Sequence, residues 1–343
     1  MKRPTIADVA RAAGVSKGAV SYALNGRPGV SEATRQRIVA AADTLGFRAD
    51  SAARALAGAP SRVVGLTLQR PARTLGVEPF FMELVSGLEA ELSLHSYALL
   101  LQMVPDHAHE ITLHRRWWRD RSVDGVLVCD LHEDDPRIPA LRELGLPAVL
   151  VGPPVEGGTP ASIWSDDGVS LREAVEYLAA LGHRRIARIG GLPDLAHTAV
   201  RTRTFTELAL RLGLESARTI PADYTGADGA RATRELLGTP DRPTALVYDN
   251  DIMAIAGLAA AQEMGLSVPG DVSIVAWDDS PVCRLVHPPL TALTRDIAAY
   301  GTHAARLLLA AIDGRPAAAL HTETAHLTPR GSTAPPRDPA VGT

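Results

Sequence analysis

Along residues 62–330, short apolar runs alternate with longer stretches in which apolar residues recur every three or four positions. The runs VVGLTL, YALLLQMV, DGVLVCD and PAVLVG read as strands, and PFFMELVSGLEAEL, the stretch 110–118 and residues 138–144 read as the helices between them. The alternation resumes with a helix at 168–181, RRIARIGG, FTELALRLGL, a helix near 228–237, TALVYDN, a helix at 252–264 and DVSIVAW. Apolar strands separated by amphipathic helices predict parallel sheets covered on both faces, so the pattern predicts two successive α/β layers. Layers of this kind hold ligands at the carboxyl ends of their strands, where loops of both halves meet.

The first sixty residues follow a different pattern. Thr5 precedes Asp8 by three positions, a capping-box spacing, and Ile6, Val9 and Ala10 follow at helical intervals up to Gly14. Ser16 is placed to cap a second helix with Ala19, Val20, Ala23 and Leu24 inward. Ser31 caps a third, with Ile38, Val39, Ala42 and Leu45 as its apolar stripe and Gly46 as its stop. The first two form a helix-turn-helix, and Lys17, Gly18 and Tyr22 project from the end of the second helix that enters a major groove. Lysine donates to guanine O6 and N7, tyrosine reaches a base edge or a phosphate, and glycine offers only close approach. Thr5, Ser16, Ser21, Asn25 and Thr34 are short polar residues suited to phosphate contacts, and equally to helix capping and surface solvation.

Charge sharpens this division. Residues 1–60 carry nine Lys/Arg against four Asp/Glu, which, with −4 for all 343 residues, leaves about −9 on the remainder. A basic head on an acidic body fits a nucleic-acid module joined to a second domain. Arginine outnumbers lysine 33 to 2, a bias that matches GC-rich codon usage and is not read as a phosphate-binding adaptation. No run approaches the length of a membrane span and the N-terminus has no apolar signal core, so a cytoplasmic protein without a membrane partner is expected. Cys129 and Cys283 are expected to be free thiols.

The stretch TIADVARAAGVSKGAVSYALNGRPGVSEATRQRIVAAADTLGFRADSAARALAG resembles the N-terminal region of the lactose/galactose repressor (LacI/GalR) family from Thr5 to Gly58. PFFMELVSGLE, DGVLV, LGHRRIARIGG, DNDIMAIAGLAAAQEMGLSVPGDVSIVAWDD and PPLTAL extend the resemblance to about residue 330, through the family's two-lobed, periplasmic-binding-protein-like effector domain. The resemblance implies an α + α/β fold: a three-helix head at 1–50, a hinge helix at 51–60, and an effector-binding and dimerisation body at 61–330. Its N-subdomain would span about 61–162 plus 294–321 and its C-subdomain about 163–293 plus 322–330, the chain crossing between them three times. In the hinge helix, Ala53 and Leu56 would enter the minor groove, with Leu56 as the wedge. SAARALA independently has good helix formers but is too short to be stable alone in water; Leu56 also fits a buried linker position. Residues 331–343, rich in Pro, Gly and small side chains, read as a disordered tail.

The resemblance further implies an effector site. Arg201, four residues before Phe205, matches the family's ligand-gripping arginine; Asn250 and Asp278 match two further ligand positions, each just after an apolar strand. Phe81 and Trp277 would wall the ligand, though both also suit core positions. Residues 69–78 form a longer, more polar turn than the family's usual one, expected at the cleft mouth. Gly152-Pro153 and Arg295 depart from the family pattern, and Arg295, if directed inward, would favour an anionic effector.

The implied protein is a homodimeric repressor of a pseudo-palindromic, double-stranded operator, controlled by a sugar-like small molecule. The alternatives are a solute receptor, which would need a secretion signal and has no use for a helix-turn-helix, and a sugar-modifying enzyme. No nucleophile elbow, phosphate loop or nucleotide fingerprint occurs, so no enzyme activity and no cofactor are expected. DHAHE at 106–110 reads as a solvated turn before a helix, without the further ligands a metal site requires.

Overall fold

A computed structural model describes residues 4–24, 28–47, 60–70, 78–155, 157, 160–316 and 318–337. Among the described residues three helices make the head: α1 (Ile6–Ala13), α2 (Lys17–Leu24) and α3 (Glu32–Leu45). Asp8 accepts from the Thr5 amide at 2.9 Å and from its hydroxyl at 2.6 Å, Ser16 Oγ accepts from the Ala19 amide at 3.1 Å, and Ser31 Oγ accepts from the Thr34 amide. Gly14 and Gly46 close α1 and α3 in the left-handed conformation that glycine adopts without strain. Val9, Ala10, Ala13, Val20, Ala23, Ile38 and Ala42 form the miniature core. The stripe expected on α3 is narrower than its sequence suggests, since Val39 is 41% and Leu45 38% exposed. Val39 lies about 100° round the helix from Ile38, and Leu45 sits at the helix end beside the Gly46 stop. The expected hinge helix at 51–60, with Ala53 and Leu56, lies outside the described residues, as do Asn25 and the loop 71–77.

The body begins with β1 (Val63–Leu68), α4 (Pro79–Leu94), β2 (Ala98–Met103), α5 (His107–Arg119), β3 (Gly125–Val128), α6 (Arg137–Leu144), β4 (Ala148–Val151) and β5 (Ala161–Trp164). There follow α7 (Asp167–Ala180), β6 (Arg185–Gly190), α8 (Ala196–Leu212), β7 (Ser216–Pro221), α9 (Gly226–Leu237), β8 (Ala245–Tyr248), α10 (Asp251–Glu263), β9 (Ser273–Trp277), α11 (Pro281–Leu285) and β10 (Thr291–Thr294). The last described elements are α12 (Ile297–Ile312), β11 (Leu320–His321) and β12 (His326–Thr328).

Among the described residues two six-stranded sheets result, ordered β11-β5-β4-β3-β1-β2 and β12-β10-β9-β8-β6-β7, parallel except for the antiparallel β10–β12 pair. Leu84 and Leu88 of α4 and Leu308 of α12 cover one face of the first sheet, and Leu113 and Trp117 of α5 with Leu141 of α6 cover the other. In the second sheet the covering helices are α9 and α10 on one face and α7 and α8 on the other. Burial on both faces is why the central strands read as continuous apolar runs.

The chain passes between the two lobes three times, at 165–166 after β5, at 295–296 before α12 and at 322–325 after β11. β5 carries the first lobe to Trp164, two residues beyond the expected limit of 162. The tail expected to be disordered from 331 is ordered through 337. Ser332 is fully buried; its hydroxyl donates to the Ile274 carbonyl at 2.6 Å and accepts from the Thr291 amide at 2.8 Å, while its own carbonyl accepts from the Ile274 amide at 2.9 Å. The small residues that look like low complexity are those able to thread between strand ends and satisfy these buried backbone groups.

Candidate DNA-binding face and interlobe cleft

On the head, Lys17 and Gly18 are exposed at the start of α2 and Tyr22, one turn on, is 46% exposed. This is the outward face from which a helix-turn-helix reads a major groove. Ser16 and Thr34 have their hydroxyls engaged at helix starts and Thr5 is held by Asp8, whereas Ser21 lies half-buried within α2.

In the body, strands of both sheets end at a shared cleft of about 180 Å³. Arg70 and Asp130 follow β1 and β3, Asp249 and Asn250 follow β8, and Asp278 follows β9; Arg201 enters from the first turns of α8. Arg201 is the most constrained. Its guanidinium lies 3.5 Å from the centroid of the Trp277 ring; Nε and Nη2 reach Asp167 Oδ2 at 2.9 and 2.8 Å, and Nη1 donates to the Asp249 carbonyl at 3.2 Å. Asp249 in turn accepts from the fully buried Arg188, whose Nε lies at 2.7 Å and whose Nη2 is closer still, and from the Gly191 amide at 3.0 Å. Burial acts against its charge, but Arg188 and Arg201 together hold the Asp249 carboxyl below the usual range.

Asn250 is committed to structure as well as to the cleft. Its Oδ1 caps α10 through the Met253 amide at 2.8 Å, and its Nδ2 donates to the Tyr224 carbonyl at 3.0 Å, holding Tyr224 at φ +67°. Tyr224 hydroxyl meets His197 Nε2 at 2.7 Å, and burial pushes that imidazole down to about 4, so it is neutral near pH 7. Phe81 is buried and lines the cleft. Trp277 is instead a buried platform beneath Arg201 and does not line the cavity.

The sequence placed residues 69–78 at the cleft mouth without singling out Arg70 or Glu78, and gave no role to Asp130, Asp167 or Tyr224. Asp130 had a signal, since it follows an apolar strand just as Asn250 and Asp278 do; Asp167 had another, as an acid at a helix start. Tyr224 had none, because it follows the exposed edge strand β7. Arg70 packs over both Phe81 and Tyr224, at 5.6 and 5.4 Å from their centroids, and pairs with Asp130 at 2.9 Å and Glu78 at 3.5 Å. Burial, with Asp130, Asp278 and Asp251 adding to it against Arg70, pushes Glu78 up to about 7, and burial pushes Asp251 up to about 6.

Arg295 does point inward, but the anionic effector inferred from it is not what the cleft favours. Arg295 faces Asp278 at 3.5 Å and donates to Ser165 Oγ at 2.9 Å. Among the described lining residues seven carboxyl groups, of which Glu78 is half-protonated near pH 7, stand against three arginines, an excess of acid that disfavours a further anion. The aspartate of DHAHE caps α5, accepting from the His109 amide at 2.8 Å. Among the described residues no helix is long and apolar enough to cross a membrane.

Two family descriptions match the chain: bacterial regulatory proteins of the lacI family over residues 5–50, and a periplasmic binding protein-like domain over residues 175–333. The transcriptional regulator CelR of Thermobifida fusca is 34% identical over 319 residues, spanning 91% of this chain and 93% of that protein. MalR of Streptomyces coelicolor is 34% identical over 351 residues, spanning 96% of each. Among solved structures, a CelR–cellobiose complex superposes with a TM-score of 0.73 at 32% identity, covering 96% of this chain and all of that one. A lac repressor dimer bound to operator and an anti-inducer gives 0.82 at 26% identity, covering 97% of this chain and all of that one. With the helix-turn-helix head, the two-lobed body and these matches together, the chain belongs to the LacI family and is a DNA-binding transcription regulator.

Proposed function

We propose that the protein is a homodimeric, non-enzymatic cytoplasmic repressor whose operator affinity is set by a neutral, polyhydroxylated effector, a mono- or disaccharide, in the interlobe cleft. The observation that carries the reading is the lining chemistry: carboxylates and arginines for hydroxyl groups beside the half-buried rings of Phe80 and Trp164 for a sugar ring. The relatives add weight, one of them having been solved with cellobiose and another on operator DNA. Lys17 and Tyr22 read base edges, Gly18 permits close approach, and Thr5, Ser16, Ser21, Asn25 and Thr34 set the register on phosphates. Ala53 and Leu56 of two hinge segments meet in the minor groove at the operator centre, with half-sites about 10 bp apart. Arg201, Asn250, Asp278 and Phe81 contact the effector and Trp277 supports Arg201; the lobes move as two subdomains whose closure shifts head pairing.

The test is a mobility shift with the promoter fragment of the protein's own gene, run against salt and against sugars. Binding that weakens steeply with salt and changes with cellobiose or another neutral sugar, but not with glucuronate, is the expected result. Failure to bind DNA sinks the regulator reading, and a response confined to glucuronate sinks the neutral effector.

A further inference from the structure

A backbone contact joins the lobes across one wall of the cleft. The Ala196 amide, at the first position of α8 in the second lobe, donates to the Leu131 carbonyl of the first lobe at 2.7 Å, and His132 and Leu195 form an isolated antiparallel bridge beside it. Leu131 and Leu195 are buried, and Ala196 packs against the apolar cluster of the first lobe. An amide at a helix start has no intrahelical acceptor, so Leu131 is the partner that satisfies it.

The loop that presents Leu131 is held in an unusual shape. Asp130 and Asp134 sit at φ +51° and +55°, a region L-residues rarely occupy. Arg137, itself buried, fixes both ends: Nη2 donates to the Asp130 carbonyl at 2.8 Å, and Nε and Nη2 reach the Asp135 carboxylate at 2.9 and 2.6 Å. Asp135 also accepts from the His132 amide at 3.1 Å, and Nη1 of Arg137 is anchored on Glu110 of α5 at 3.0 Å. Buried charges that hold a loop of this kind preorganise the Leu131 carbonyl for its partner.

We propose that the loop 130–135, set by Arg137 and docked on the start of α8, is an interlobe latch that biases the body toward closure and so sets effector affinity and response. This rests on the effector reading given above. Asp130, Leu131 and Ala196 of the latch border the cleft, and the Asp130 side chain at its base pairs with Arg70 there, so a molecule displacing that pair reports directly to the latch. Because apparent affinity scales with the population of the competent state, loss of one backbone hydrogen bond should raise an effector's Kd about two- to tenfold.

Ala196→Pro tests it. Proline removes the donor but is favoured at a first helical position, and Leu195 before it is already at φ −81°, ψ 132°, which a following proline accepts. In full-length protein, spin labels at Thr112→Cys on α5 and Arg203→Cys on α8 would report lobe separation; the native cysteines are buried. The expected result is a shift to longer distances in the proline variant, and a distribution identical to the parent's overturns the latch. Should the variant not fold, hydrogen exchange of the unmutated chain decides: the Ala196 amide should exchange at least about tenfold slower than an unbonded helix-start amide, and a free rate overturns the proposal. Failure of cellobiose and other neutral sugars to raise the melting temperature would count against the effector reading, while the distance and exchange results judge the latch separately.

Discussion

Arg188 is a fully buried guanidinium inside a central strand, and its reason for being there is Asp249. Removing one member of such a pair strands the other charge in a medium that solvates it poorly. Arg188→Met should therefore cost about 3–5 kcal/mol in chemical denaturation, whereas Arg188→Met with Asp249→Leu should recover most of the loss. A single variant as stable as the parent would show that Asp249 is neutral or hydrated. Glu78 supports a second prediction. Its carboxyl is raised by burial from 4.5 to about 7 in the folded protein, so the folded state holds a proton that the unfolded state releases. The associated stability is present below about pH 4.5 and is lost as pH rises through 7. Between pH 5.5 and 7.5 the melting temperature should fall more in the parent than in Glu78→Gln, and equal slopes would contradict the burial assigned to Glu78.

At the scale of elements, local chemistry made the head legible: Thr5 with Asp8, Ser16 and Ser31 mark three helix starts, and Gly14 and Gly46 mark two ends. The central strands were equally readable, since VVGLTL, GVLV, ALVY and SIVAW are buried on both faces. Strands β5, β7, β10, β11 and β12 were not read from the pattern. β7 and β11 are edge pieces with exposed residues, and the short strands lack an apolar run long enough to register. The cleft was half legible: Arg201, Asn250 and Asp278 came from motif matching, while Arg70 and Tyr224 depend on which loops the folded lobes bring face to face. The α4–α12 contact, which fastens the returning chain to the first lobe, was invisible because it is made by glycines. A methyl at Gly301 would lie 2.3 Å from the Leu84 carbonyl oxygen, and one at Gly87 would lie 1.8 Å from that of Ala298. Backbone on both sides leaves little room to adjust, so Gly301→Ala should destabilise the first lobe by at least about 1–3 kcal/mol, measured by denaturant midpoint. Unchanged stability would mean that the helices separate freely.

For the whole molecule, the division between a basic head and an acidic body predicts where salt acts. DNA affinity should fall linearly on a log–log plot with salt, and Lys17→Ala should lower affinity for the operator more than for unrelated DNA if Lys17 contacts a base. An equal loss on both, with a shallower salt slope, would move Lys17 to a phosphate. Effector binding should respond far less to salt, because the cleft charges are paired at close range in a buried site.

Ser332 gives the body an order of assembly. It seals the ends of β9 and β10, yet it is translated after every strand of the sheet it completes. A nascent chain therefore carries a finished head well before its sensor can close, and a nonsense mutation just upstream of Ser332 would leave a DNA-reading module attached to an unsealed lobe. Alleles of that kind should behave as regulators deaf to their signal, and as targets for proteases that recognise exposed strand edges.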